Sequence, residues 1–324
     1  LMPTKAPRAV WWYTWRSLRW WLVTTPFVLG RGLLSGFLFA NAPHALRQEL
    51  VRLAMGQEAN VLDLGVLWSI GLGVVGLATR RVELMSVLAG PARRRDVYGA
   101  HAFLTGGTLV ISQILCLVGL WALNARMGLP ASQALVAHVM FKRLLVDLAA
   151  WSAGVAAAAT IAHPVAAGIS AIGVAGFPVY AGTFIEYVSS KWNGPHPSPL
   201  SNDIMHLSPL MLLDRTTGGA LVAYGIWFVA WIALWLALGA ALFERLPLEH
   251  LNEVFPFAVY QRLFALGIAL LAGFLVTVWA AQAMGLGVGK AAAIEVVLIW
   301  MASCTILYAL RSRRPFFRLR RWDS

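Results

Sequence analysis

Residues 144–187 read "LLVDLAAWSAGVAAAATIAHPVAAGISAIGVAGFPVYAGTFIEY", and their only formal charges are Asp147 and Glu186. As one helix this run would be about 65 Å long at about 1.5 Å per residue. That is roughly twice the hydrocarbon thickness of a bilayer. His163-Pro164 offers a break, because Pro is well tolerated at the first position of a new helix, where its missing N–H has no intrahelical partner anyway. Two helices at 144–162 and 165–187, joined by a tight turn, are therefore expected.

Six more apolar segments lie at 22–42, 61–79, 101–123, 219–243, 257–284 and 290–310. A crossing helix needs about 20 mostly apolar residues. The expectation is an all-α polytopic membrane bundle of about eight transmembrane helices. Composition agrees: the 324 residues are 59% hydrophobic and 12% charged, against about 25% charged in soluble domains. The net charge of +12 would suggest nucleic acid in a soluble chain. Here most Lys and Arg flank apolar runs, so they read as topology signals facing anionic lipid, and no nucleic-acid partner is expected. Cys116 and Cys304 lie inside apolar runs and read as packing residues. Residues 1–21 show no short apolar core followed by a small-residue cleavage site.

Fifteen of the 26 Lys and Arg fall in three places. Lys5, Arg8, Arg16 and Arg19 precede the first span. Arg80, Arg81, Arg93, Arg94 and Arg95 lie in the 79–100 loop. Arg311, Arg313, Arg314, Arg318, Arg320 and Arg321 follow the last span. With eight spans all three fall on one side, which the positive-inside rule makes the cytoplasm. The expected location is a cell membrane, multi-pass, with both termini cytoplasmic. Residues 8–21, "RAVWWYTWRSLRWW", interleave Arg with five tryptophans, the composition of an amphipathic helix lying at the headgroup level. Small residues recur every four positions at Ala149, Ala153, Ala157, at Ala167, Ala171, Ala175 and at Ala233, Ala237, Ala241. Such stripes let helices approach closely in lipid.

The loop "TRRVELMSVLAGPARRRDVYGAHAF", 79–103, sets a short apolar helix between arginines. A helix from Glu83 to Gly90, ended by Gly90-Pro91, is too short to be stable alone in water. Flanking spans and a partner would hold it, and it could pass force into the spans. Here the chain resembles ABC-2-type exporter permeases, the transmembrane subunits of ABC transporters. "ELMSVLAGPARRR" is similar to their coupling-helix loop, with Leu84-Met85 where family members often have Gly-Thr. The helix before the first span resembles the family's connecting helix. "HLSPLMLLDRTTGG", 206–219, is similar to the segment before the sixth span, and "ALFERLPLEHL", 241–251, to the polar exit of that span.

The resemblance implies a connecting helix at 1–21 and an ABC-2-like core at 22–250, with coupling loop 79–100 and external loop 188–218. Two additional spans and a basic cytoplasmic tail follow at 251–324. It implies that Glu83, Leu84, Met85, Val87, Leu88, Gly90, Pro91 and Arg93 contact an ABC ATPase subunit. It also implies a second permease subunit, identical or paralogous, within surrounding membrane lipids. The chain has no G-x-x-x-x-G-K-[ST] phosphate loop. "GLGVGKAAA", 285–293, has Ala291 where the Mg²⁺-binding hydroxyl belongs. ATP and Mg²⁺ would therefore sit on the partner, and no cofactor or catalytic residue is expected in this chain.

Ionisable residues inside spans are candidates for a pathway or a buried partner. Arg31 lies within the first span and reads either as a paired or cavity residue or as a snorkelling one. Asp147 and Glu186 lie near the expected external ends of the fourth and fifth spans, where interfacial solvation accounts for them. Asp63 is similar. Glu295 lies about one turn into the last span, near Lys290. His196, Asp203 and His206 in loop 188–218 match no established metal-ligand spacing, and no metal site is expected. "DIMHLSPLMLL", from Asp203, suits a short helix lying on or re-entering the membrane.

Two other functions compete. A membrane-embedded lipid-modifying enzyme needs a catalytic constellation, and the chain has no G-x-S-x-G or H-E-x-x-H. An ion-coupled secondary transporter would favour inverted repeats and midplane charges. The halves show no convincing repeat.

Overall fold

The computed structural model describes residues 8–31, 64–78, 93–127, 133–192, 199–208, 220–246 and 301. The expected spans at 257–284 and, apart from residue 301, at 290–310, the loop helix from Glu83 to Gly90, Asp63, Glu295 and the C-terminal tail lie outside them. The described residues are helical, with seven helices and no strand among them: α1 (Arg8–Leu29), α2 (Leu64–Val74), α3 (Arg94–Met127), α4 (Gln133–Thr160), α5 (Pro164–Trp192), α6 (Pro199–His206) and α7 (Ala220–Glu244). Two segments are long and apolar enough to cross a membrane, Arg94–Ala122 of α3 and Tyr224–Glu244 of α7.

The long apolar run divides at its proline. α4 ends at Thr160 and α5 begins at Pro164. His163 caps the new helix: its Nδ1 accepts the N–H of Ala166 at 3.4 Å and its carbonyl accepts that of Ala167 at 2.9 Å. A side chain in this position satisfies a donor that the first turn leaves unpaired.

α4 is the hub, packed by α2, α3, α5 and α7. Its small residues make this possible. Ala149, Ala150, Ala153, Ala158 and Ala159 are buried. α2 crosses α4 backbone to backbone: a Cβ on Gly73 would meet the Trp151 carbonyl at 2.6 Å, and one on Gly154 the Ile70 carbonyl at 2.6 Å. α7 also comes close at Gly239, whose Cβ would lie 3.0 Å from Ala156 Cα. Ala167, Ala171 and Ala175 of α5 are also fully buried.

Two expectations change. α4 begins at Gln133, not near 144. Lys142 and Arg143 interrupt the apolar run, but Val136 and Met140 are buried and carry the apolar stripe one turn at a time toward Leu145. The stripe Ala233, Ala237, Ala241 faces outward. α7 instead buries Phe228, Gly239 and Phe243, because the two phenylalanines bury more apolar surface than alanines can. α1 runs unbroken from Arg8 to Leu29, across residues 21 and 22. α1 packs along α3, with Trp11 edge-on to Phe103 at 5.4 Å between ring centroids.

Candidate functional site

The two feet of the 79–92 loop are both described. On the first side, α2 gives way to a turn at 75–78 in which Gly76 takes φ +96°, a conformation that Gly adopts without steric cost. A Cβ there would stand 3.0 Å from Leu18 Cδ2 and 3.2 Å from His101 Nδ1. His101 is buried, and its Nε2 donates to the Gly73 carbonyl at 3.0 Å. Leu77 and Ala78 are buried too. The chain therefore enters the loop from a packed turn pinned between α1 and α3.

On the second side the anchor is ionic. Arg93 is exposed, and its carbonyl accepts the N–H of Asp96 at 2.9 Å, opening α3. Arg94 Nη1 donates to the Glu244 carbonyl at 2.9 Å and also to the Leu246 carbonyl. Arg95 pairs with the Glu244 carboxylate through Nε, and through Nη2 at 3.0 Å. The last carbonyls of a helix have no intrahelical partner, and a cation there also suits the helix dipole. Arg94 and Arg95 thus join the start of α3 to the end of α7. Tyr98 extends the join: its hydroxyl donates to the Leu236 carbonyl at 3.0 Å, and its ring lies 6.0 Å from that of Phe243.

Along α3 toward its other end the polar contacts become buried. Trp151 Nε1 donates to Thr105 Oγ1 at 2.9 Å. Gln113 Nε2 donates to Asp147 Oδ2 at 2.5 Å, and Asp147 is only 1% exposed. This overturns the interfacial account of Asp147. With α4 starting at Gln133, the carboxylate lies at mid-helix, about 21 Å from the start at about 1.5 Å per residue. Burying a carboxylate is costly unless hydrogen bonds satisfy it, and the Gln113 amide does so.

Of the other expected residues, Arg31 is exposed just past the end of α1, and Glu186 is half-buried toward the end of α5. Asp147 on α4 and Glu186 on α5 stand on separate helices, and Arg31 belongs to neither. Among the candidate loop contacts only Arg93 is described; Glu83, Leu84, Met85, Val87, Leu88, Gly90 and Pro91 lie outside the described residues, as does Glu295. Gln113, His101 and Glu244 were not singled out as site residues. Gln113 and His101 are polar residues within or at the edge of an apolar run, which is a signal in itself. Glu244 is 149 positions from Arg95 and carries no such signal.

At the opposite end, α6 folds back on its neighbours. Ser208 is buried and its Oγ donates to the Ala175 carbonyl at 2.8 Å. Trp227 Nε1 donates to the Leu207 carbonyl at 3.2 Å. Ala175 is 17 residues before the end of α5, so the returning segment reaches far down that helix. Asp203 is exposed, and His196 lies outside the described residues. Among the described residues no three His, Cys, Asp or Glu side chains cluster. No family model, curated protein or solved structure matches this chain.

Proposed function

We propose that this chain is the transmembrane permease subunit of an ATP-driven ABC exporter of the ABC-2 type. It crosses the membrane eight times with both termini cytoplasmic. A separate ATPase docks on the 79–92 loop through Leu84, Val87 and Leu88, which lie at helical spacings of 3 and 4. A second permease chain completes the pathway. The observation that carries this reading is the attachment of the loop's feet to different helices, Gly76–His101 on one side and Arg94–Arg95 to Glu244 on the other. A load applied to the loop would reach α2, α3 and α7 together. α7 in turn holds the returning segment through Trp227, so closure of the ATPases would bear on the external end.

The test is biochemical. Purified alone, the chain should neither bind nor hydrolyse ATP, since it has no phosphate loop with its Lys and hydroxyl. Purified gently from its native membrane, it should carry an ATP-hydrolysing subunit. A native complex without one contradicts the proposal. The buried Asp147 favours one second reading, an ion-coupled secondary transporter. In sealed vesicles lacking ATP, uptake or efflux driven by a proton or sodium gradient would select it over the first.

A further inference from the structure

α1 sorts its residues by face. Val10, Thr14, Leu18, Leu22, Thr25 and Leu29 are buried, at spacings of 3 and 4. The opposite face exposes Trp12, Trp15, Arg16, Arg19 and Trp20, and then Val23 and Phe27. α1 contains no acidic residue. The Arg16 guanidinium lies over the Trp12 ring at 5.1 Å, and that of Arg19 over Trp20 at 5.5 Å. A guanidinium beside a ring can still hold an anion through its N–H donors. The two arginines are three positions apart and so share a face.

Their level is also defined. Leu18, between them, meets the Gly76 turn beside His101, where α3 passes from its basic start into its apolar run. Beyond them the same face turns apolar at Val23 and Phe27. A cationic, Trp-rich band followed by apolar side chains matches the order of headgroup and acyl chain in a leaflet.

We propose that this face is a binding site for an anionic phospholipid of the cytoplasmic leaflet. Arg16 and Arg19 share its phosphate, and Val23 and Phe27 lie against its acyl chains. The site commits to lipid rather than free phosphate because the apolar residues continue the same face. It rests on the membrane reading of the chain and is independent of any ATPase.

The experiment uses the full-length chain in neutral detergent, titrated with phosphatidylglycerol or phosphatidylcholine, with bound lipid read by native mass spectrometry. The wild type should retain phosphatidylglycerol preferentially. The pair Arg16→Gln/Arg19→Gln should weaken that retention by about 30-fold, from the typical attraction of two basic residues to an anionic surface. Arg16→Lys/Arg19→Lys should keep most of it, because the attraction to an anionic headgroup follows the charge, which remains. Undiminished preference in a glutamine pair that elutes like the wild type overturns the site. So does displacement of the lipid by millimolar inorganic phosphate. Should the glutamine pair yield no protein, the wild type decides: equal retention of the two lipids overturns the site. Release of the chain from membranes by alkaline wash, without detergent, would instead overturn the membrane reading.

Discussion

α3 makes two polar contacts that look alike on paper and differ in surroundings. At its start Arg95 meets Glu244 with the Arg95 side chain exposed. About 27 Å further along, at about 1.5 Å per residue, Gln113 meets Asp147 with both residues buried. Water and salt screen the first pair, and such exposed pairs are worth about 0.2–1 kcal/mol. Burial leaves the second far less screened, so the loss of the Gln113 donor is felt more strongly. The first contact therefore serves geometry, tying the loop's foot to α7. The second serves stability, fixing α3 against the hub.

Three substitutions test that contrast in thermal unfolding of the detergent-purified chain. Gln113→Leu should be the most damaging, at about 1.5–3 kcal/mol for a hydrogen bond to a charged group, with little dependence on salt. Trp151→Phe removes a buried hydrogen bond between neutral groups and should cost about 1 kcal/mol. Glu244→Gln should cost least, about 0.2–1 kcal/mol, and the cost should shrink further at high ionic strength. A Glu244→Gln penalty as large as that of Gln113→Leu would break the comparison.

The contrast was only half legible in the sequence. The division of 144–187 could be read because proline acts locally, through its missing N–H. The start of α4 could not, because Lys142-Arg143 resembles a span flank while the buried stripe passes beside it. That single misplacement moved Asp147 from mid-helix to an edge. The alanine stripe of α7 misled for a related reason. Small residues permit close packing on any face, and Gly239 with Phe243 decided which face was used. Arg93–Arg95 stand out as a basic cluster, but the pairing of Arg94 and Arg95 with the Glu244 carbonyl and carboxylate depends on a contact between distant parts of the chain.

The central claim is that the 79–92 loop couples this chain to an ATPase. The direct measurement is ATP turnover of the complex purified from its native membrane, with and without Leu84→Asp/Leu88→Asp. Charges on the docking face should leave the membrane subunit folded, with unchanged gel-filtration elution, and should abolish both the copurifying ATPase and its turnover. Undiminished copurification and turnover in the double variant would contradict the account.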